Sequence, residues 1–217
     1  MSLTLHYHPL SSFCWKVLIG LYENDTPFEK RAVNLGDEGE RAAFYSLWPI
    51  GKFPVIVNAE RGEIVPESTP ILDYLDLYFP GPTRFVSADP DLAWRTRLWD
   101  RIVDMHVHLG MQTVVGNRIR PAEAKDPHGV AMARASMTRA YGVIEDGLAG
   151  RTWLSGPDFG LADCAALPAL YYADKVEPWG EARPGITAYL ERLKARPSVK
   201  RVLAEAEPFF KYFPAED

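Results

Sequence analysis

The first eighty residues alternate between two hydrophobic patterns. Leu3 to His8 alternates apolar and polar residues, which predicts a strand, and Phe13 to Asn24 repeats apolar residues at helical spacing. The pattern continues with a strand at 28–33, a helix at 38–47, strands at 55–58 and 63–65, and a helix at 68–79. The order β-α-β, α, β-β-α predicts a parallel strand pair with a right-handed crossover and an antiparallel hairpin in one small mixed sheet.

The pattern changes after residue 80. Positions 81–90 are rich in proline and glycine, which is typical of a linker. We find no strand pattern after them, and helical spacing follows at 91–115, 122–149, 160–176, 184–195 and 198–206. We therefore predict an α/β domain over residues 1–80, a linker over 81–90 and an all-helical domain over 91–217.

Composition narrows the class of protein. The net charge of −5 is spread along 217 residues, which argues against a nucleic-acid partner. The first residues lack a signal-peptide pattern, and no stretch approaches the ~20 apolar residues of a membrane helix. Cys14 and Cys164 lie far apart, which predicts free thiols and a cytoplasmic location. We expect no metal site, since His106 and His108 would point to different sides of a helix.

Two turns carry polar residues that suit a ligand. The turn from His8 to Val17 places two serines and a cysteine where a helix begins, and a helix N-terminus favours anions. The alternative is that the serines only cap the helix. In the second turn, Gly51-Lys-Phe-Pro54 precedes a strand, so a cis Pro54 would leave the Phe53 backbone free to pair with an extended peptide. The alternative is an ordinary trans proline at a strand start.

A third segment begins the helix at 68–79. Ser68 is predicted as its N-cap, with Pro70 tolerated in the first turn. The free amides and the Ser68 hydroxyl suit a carboxylate, and Glu67 suits an ammonium group. This combination matches the head group of an α-amino acid, although a plain capped helix with an exposed glutamate is the alternative.

Together these segments resemble the cytosolic glutathione transferases. The resemblance rests on the Ser11 turn, on Gly51-Lys-Phe-Pro54 and on Glu67-Ser68, and it continues through Ile71–Leu75 and Gly160–Pro168. It implies a thioredoxin-like N-terminal domain, an all-α C-terminal domain and a homodimer. It also implies that glutathione is the co-substrate, and that its thiolate is conjugated to a small, mostly apolar electrophile in detoxification.

The resemblance also implies the catalytic residue. Ser11 falls where serine-type members place the hydroxyl that contacts the glutathione sulfur. Ser12, one residue along the same turn, is an alternative donor. Cys14 is a second alternative, with mixed-disulfide exchange as its chemistry, unless it is simply a small buried residue.

Five further residues match the family's glutathione-binding positions. The backbone of Phe53, before the family's cis Pro54, is expected to pair with the cysteinyl part. Glu67 and Ser68 are expected to hold the γ-glutamyl head, and Lys52 to reach the glycyl end. In the helical domain, Trp99, Met105, His106 and Met111 either line the second-substrate pocket or simply pack between helices.

The chain departs from the family pattern at two positions. Trp48 stands where an asparagine is expected, and Gly160 stands where many members have a capping serine or threonine, although Asp163 can still reach back to its N–H. The Ser-Ser-Phe-Cys-Trp-Lys turn is also similar to zeta-class members. Two other functions therefore stay open, a glutathione-dependent isomerase or dehalogenase and a non-catalytic binding protein of the same fold.

Overall fold

A computed structural model describes residues 3–215. The first two residues of the predicted first domain and the last two of the predicted helical domain lie outside the described residues. The predicted order of the first domain is confirmed. Its elements are β1 (Leu3–Tyr7), α1 (Ser12–Glu23), β2 (Glu29–Ala32), α2 (Glu38–Leu47), β3 (Val55–Asn58), β4 (Glu63–Pro66) and α3 (Ser68–Tyr78).

The four strands form one sheet in the order β2-β1-β3-β4. β1 and β2 are parallel, with Leu5 opposite Lys30, while β3 runs antiparallel to both β1 and β4. The predicted parallel pair and the predicted hairpin are therefore both present, as in a thioredoxin-like domain. The loops that follow β1 and precede β3 and α3 carry the predicted site residues.

The remaining α-helices follow the first domain, and the first of them begins at Pro90, the last position of the predicted linker. They are α4 (Pro90–Ile102), α5 (Leu109–Arg118), α6 (Pro127–Leu148), α7 (Leu161–Ala173), α8 (Pro184–Lys194) and α9 (Pro197–Ala206). Within residues 3–215 no strand follows β4, which confirms the all-helical prediction. The predicted helix at 122–149 begins only at Pro127, because Asp126 caps α6 and a short turn of 3₁₀-helix precedes it.

A π-helical stretch, Val103–His108, joins α4 to α5. The sequence pattern predicted one regular helix here and did not reveal this change of pitch. π-helical turns insert an extra residue and often occur at functional sites. This one lies where the helical domain faces the first domain, and it carries Asp104 and Met105.

α7 is the centre of the helical domain, and all but one of its residues are buried. Its first turn is stabilised without a side chain at Gly160, because Asp163 accepts hydrogen bonds from the amides of Gly160 at 3.0 Å and Leu154 at 2.8 Å. The expected backward reach of Asp163 is therefore confirmed. No helix within residues 3–215 is long and apolar enough to cross a bilayer.

Candidate active site

The site begins in the loop between β1 and α1. Ser11 is the N-cap of α1, where its side chain accepts a hydrogen bond from the Cys14 amide at 3.4 Å. Its own amide donates to the His8 carbonyl at 3.0 Å. A serine hydroxyl can accept one hydrogen bond and donate another, so this bond does not prevent Ser11 from donating to a ligand. Ser12 lies inside α1 and is buried.

The second segment contains the cis peptide bond between Phe53 and Pro54 that the resemblance implied. Gly51 just before it has φ +67°, a left-handed conformation that glycine adopts readily. No backbone hydrogen bond to Phe53 forms among the described residues. Its amide and carbonyl are therefore free to pair with an extended ligand, in the manner of an added strand.

The third segment differs from the prediction in one respect. Ser68 is the first residue of α3 and Glu67 precedes it as the cap residue, without a capping side-chain bond. Glu67 has φ 67° and ψ 128°, a sparsely populated conformation for a residue with a side chain. Such residues concentrate at ligand sites. The amides of Ser68 and Thr69 lie in the first turn, where no carbonyl of α3 can accept from them.

These three segments meet at one cavity of about 580 Å³ between the two domains. All six residues predicted from the sequence line it, namely Ser11, Lys52, Phe53, Pro54, Glu67 and Ser68. The remaining lining residues, for which we made no binding prediction except at Met105, are Phe13, Gly51, Thr69, Pro70, Arg101, Asp104, Met105, Leu109 and Gln112.

The helical side of the cavity is a stripe along α4, the π-helical stretch and α5. Met105 and Leu109 are large exposed apolar residues of this stripe. Of the four residues considered from sequence, only Met105 lines the cavity. Trp99 packs against α6 beside Gly147, and Met111 is in the core. Leu109 could have been predicted as a lining residue, because it is four positions after Met105 and residues with this spacing share one face of a helix.

A buried charge network lies behind the cavity and crosses the domain boundary. The ammonium group of Lys16 on α1 contacts Asp100 at 2.5 Å and Asp104 at 2.8 Å. It also donates to Thr69 at 2.8 Å, and Thr69 in turn donates to Asp100 at 2.8 Å. The sequence contained a signal for this network, a lysine among apolar positions of α1 and two aspartates four residues apart.

The two carboxyl groups of the network differ. Burial raises the pKa of Asp100 more than the charge of Lys16 lowers it. Burial also acts on Asp104, but its interactions with His108 and Lys16 outweigh burial and hold the pKa of Asp104 below its usual value. His108 is fully buried, with Nδ1 3.5 Å from Asp104 and its ring stacked on Phe13 at 3.8 Å.

Neither cysteine provides a reactive thiol. Cys14 is fully buried, and burial raises the pKa of its thiol to about 12. A thiol with this pKa forms almost no thiolate near neutral pH, so Cys14 is unsuited to disulfide exchange. Cys164 is also buried and free. Across residues 3–215 no three histidine, cysteine, aspartate or glutamate side chains are grouped to hold a metal ion.

The fold and the cavity define a thioredoxin-like domain with an attached helical domain and a ligand site between them. The sequence profile of the glutathione S-transferase N-terminal domain matches residues 5–83, and that of the glutathione S-transferase C-terminal domain matches residues 122–192. The chain belongs to the glutathione S-transferase family.

Relatives of known sequence and structure extend over nearly the whole chain. Glutathione S-transferase GstB of Escherichia coli K12 is 26% identical over 198 residues, which cover 87% of this chain and 91% of GstB. Maleylacetoacetate isomerase of Pseudomonas aeruginosa is 25% identical over 211 residues, which cover 96% and 98% of the two chains. A crystal structure of a Methylobacterium radiotolerans glutathione S-transferase in complex with glutathione sulfonate is 26% identical, has a TM-score of 0.80 and covers 92% of this chain and 93% of that one.

Proposed function

We propose that this protein conjugates the thiolate of glutathione to a small, mostly apolar electrophile. The observation that carries this proposal is the convergence of Ser11, Lys52, Glu67 and Ser68, with the unpaired backbone of Phe53, on one cavity. A scaffold without a ligand has no physical need for this combination.

The charges around the cavity match those of glutathione. The tripeptide carries an ammonium group and a carboxylate at its γ-glutamyl end and a second carboxylate at its glycyl end. Glu67 and Ser68 line the cavity. The Glu67 carboxylate suits the ammonium group, and the amides and hydroxyl at the start of α3 suit the adjacent carboxylate. Lys52 is the cation for the glycyl carboxylate, and the Phe53 backbone pairs with the cysteinyl unit between them.

Ser11 then activates the sulfur. A free thiol has a pKa of about 8.5, so only a few per cent is thiolate at neutral pH. A hydrogen bond to a charged group contributes about 1.5–3 kcal/mol, or about one to two pKa units. The N-terminus of α1 adds about 0.3–1 kcal/mol. Together these terms make thiolate the main form of bound glutathione near pH 7.

The electrophile lies on the helical side of the cavity. Met105, Leu109 and Phe13 provide an apolar wall, and Gln112 adds one polar group. An apolar body packed against this wall brings its electrophilic atom towards the sulfur. Orientation of this kind accelerates a reaction between two bound molecules by replacing an encounter in solution.

The first test compares Ser11→Ala with Ser12→Ala. Both remove one hydroxyl from adjacent positions of the same turn, but only Ser11 lines the cavity. We expect Ser11→Ala to raise the pH midpoint of bound-thiolate absorbance by about one unit or more. Ser12→Ala should leave the midpoint unchanged. An unchanged midpoint in Ser11→Ala would remove this residue from the mechanism.

The second test is calorimetry of glutathione binding. We expect wild-type protein to bind glutathione and the Glu67→Gln, Ser68→Ala double variant to bind it at least about tenfold more weakly. The variant loses the charge that pairs with the ammonium group and the hydroxyl that donates to the carboxylate of the γ-glutamyl end. No binding by wild-type protein at millimolar glutathione would favour the non-catalytic alternative.

A second candidate function is glutathione-dependent isomerisation. It is supported by the similarity to maleylacetoacetate isomerase along almost the full length of both chains. The same thiolate would add to a carbon–carbon double bond and leave again after rotation, so that glutathione is regenerated. Isomerisation of a cis-enedione substrate with no net loss of glutathione would favour this function over conjugation. Release of halide from a halogenated substrate would instead favour a dehalogenase.

A homodimer is part of the proposal. Trp94 and Leu98 on α4 are about half exposed, and Leu77 on α3 is 70% exposed. An ion pair between Arg97 and Asp73 places α3 beside α4 at this surface. Exposed apolar residues on two neighbouring helices suit a subunit contact. Sedimentation should show a dimer at micromolar concentration, and finding a monomer would contradict this part of the proposal.

We also propose a cytoplasmic location, which suits the two free thiols.

A further inference from the structure

The loop that ends at Ser11 is held through three successive carbonyl groups. The His8 carbonyl accepts from the Ser11 amide at 3.0 Å, and the Pro9 carbonyl accepts from the Trp15 indole at 2.7 Å. The Leu10 carbonyl accepts from the hydroxyl of Tyr172 at 3.1 Å. The first two partners are local, but Tyr172 comes from α7 in the helical domain.

The last of these bonds acts on the peptide unit that carries Ser11. The Leu10 carbonyl and the Ser11 amide belong to one planar peptide group. Its oxygen is held by Tyr172 and its N–H by the His8 carbonyl, so both polar ends of this plane have a fixed partner. Rotation of the plane would move the Ser11 side chain that follows it.

Tyr172 is itself rigidly placed. It is only 2% exposed, and its ring packs against Trp15 at 4.9 Å, Phe213 at 5.5 Å and Phe210 at 6.1 Å between ring centroids. α7 around it is almost entirely buried. The hydroxyl therefore projects from the most enclosed helix of the molecule, and it is an anchor that the short loop does not possess on its own.

We propose that Tyr172 is a positioning residue for the reaction, which sets the direction of the Ser11 hydroxyl by holding the Leu10 carbonyl. This inference rests on the proposed function of Ser11. Catalytic groups must be held within about 0.5 Å of their productive geometry, and supporting hydrogen bonds provide this precision. Tyr172 is not among the residues that line the site cavity, so it acts on the site through the loop.

The proposal separates thiol activation from glutathione binding. Glu67, Ser68 and the Phe53 backbone lie in other segments of the chain, and the hydrogen bond and ring contacts of Tyr172 involve none of them. Loss of its hydroxyl should therefore raise the pKa of the bound thiol and lower kcat, while the Kd for glutathione stays within about twofold. A residue with a merely structural role would alter stability or Kd without moving the thiol titration.

The chain offers a matched control at the next position. Tyr171 also packs on Trp15, at 5.4 Å, and on Phe210, at 5.8 Å. Within residues 3–215 its hydroxyl forms no hydrogen bond. Tyr171→Phe and Tyr172→Phe thus remove the same atom from the same aromatic cluster, and only the second change frees the Leu10 carbonyl.

The experiment compares both variants with wild type by bound-thiolate absorbance against pH, by kcat with a neutral aryl halide and by calorimetry with glutathione. For Tyr172→Phe we expect a midpoint about half a unit higher and a kcat about three- to tenfold lower, the range for loss of one net hydrogen bond. Tyr171→Phe should match wild type. Equal behaviour of the two variants would overturn the proposal, whether both match wild type or both are impaired.

Amide hydrogen exchange gives an independent measurement on the full-length protein. We expect the Ser11 amide to exchange faster in Tyr172→Phe than in Tyr171→Phe, because the peptide plane has lost one of its two partners. Equal exchange in the two variants would overturn the proposal even if activity fell. If wild type binds no glutathione, the proposed function fails instead, and exchange alone then decides whether Tyr172 holds the loop.

Discussion

Replacement of Lys16 by methionine tests whether the buried charge network joins the two domains. Lys16 is 0% exposed, and its three ammonium protons go to Thr69, Asp100 and Asp104 at 2.5–2.8 Å. Methionine is unbranched and fills similar space, so the change removes the charge with little loss of packing. Two buried carboxyl groups then remain without a cation.

The expected cost follows from the burial of this network. Removal of one partner from a buried ion pair costs about 3–5 kcal/mol, because the remaining charge is neither solvated nor paired. For a chain of this length, about 1 kcal/mol corresponds to about 2–4 °C in Tm. We therefore expect Lys16→Met to lower Tm by roughly 6–20 °C. The cost of about 3–5 kcal/mol is a large part of the total stability of a folded protein, which is typically about 5–15 kcal/mol.

The loss of stability in Lys16→Met should depend on pH. In wild type, Asp104 has a lowered pKa, so its contribution to stability is present above its usual pKa and is lost as the pH falls through the lowered value. Burial already raises the pKa of Asp100, and without Lys16 we expect the pKa values of both Asp100 and Asp104 to rise, although His108 still lowers that of Asp104. Protonated carboxyl groups need no counter-charge, so the deficit of the variant shrinks as the pH falls through these raised values.

Thermal and urea unfolding at pH 7 and pH 5 measure both effects. Lys200→Met is the control, since Lys200 is exposed on α9 and should change stability by less than about 0.5 kcal/mol. A second variant, Lys16→Met with Asp104→Asn, should recover part of the loss. A deficit below about 1 kcal/mol at pH 7, or one that grows on acidification, would refute the reasoning.

Three further predictions concern single residues. Cys14 and Cys164 should resist iodoacetamide in the native protein and react only after unfolding, which thiol counting by mass spectrometry will show. Gly160→Ser, although it restores the family's capping residue, should lower Tm, because a Cβ there lies 2.6 Å from the Phe85 carbonyl oxygen; a rise in Tm contradicts this. Lys52→Gln should raise the KM for glutathione several-fold with kcat nearly unchanged, and steady-state kinetics in which only kcat falls would count against its proposed role.

Local sequence patterns predicted most of the elements, because periodicity reports directly which faces of a segment are buried. β1 and α1 follow their alternating and helical patterns within about one residue. The π-helical stretch at Val103–His108 was not predicted, since one extra residue in a turn leaves almost no trace in the spacing of apolar positions.

The site was predicted as a set of segments that only the fold unites. Ser11, Phe53 and Glu67 each had an ordinary structural explanation, and their order along the chain suggested a shared ligand through the resemblance. Their convergence on one cavity depends on the sheet order β2-β1-β3-β4, which places the three loops side by side. The cap of α3 moved to Glu67, a detail that depends on backbone angles and not on residue type.

The sequence by itself determined the elements, their order and the family, since these depend on local periodicity and on residues close together in the chain. Only the tertiary structure decided which polar residues are buried and what they contact. Lys16 reaches Asp100 and Asp104, and Tyr172 reaches Leu10, across more than eighty positions of sequence. Residue types can hint at such groups, as the lysine in α1 does, but no local pattern shows which partner each one contacts, because desolvation and hydrogen bonding act through space once distant segments have packed together.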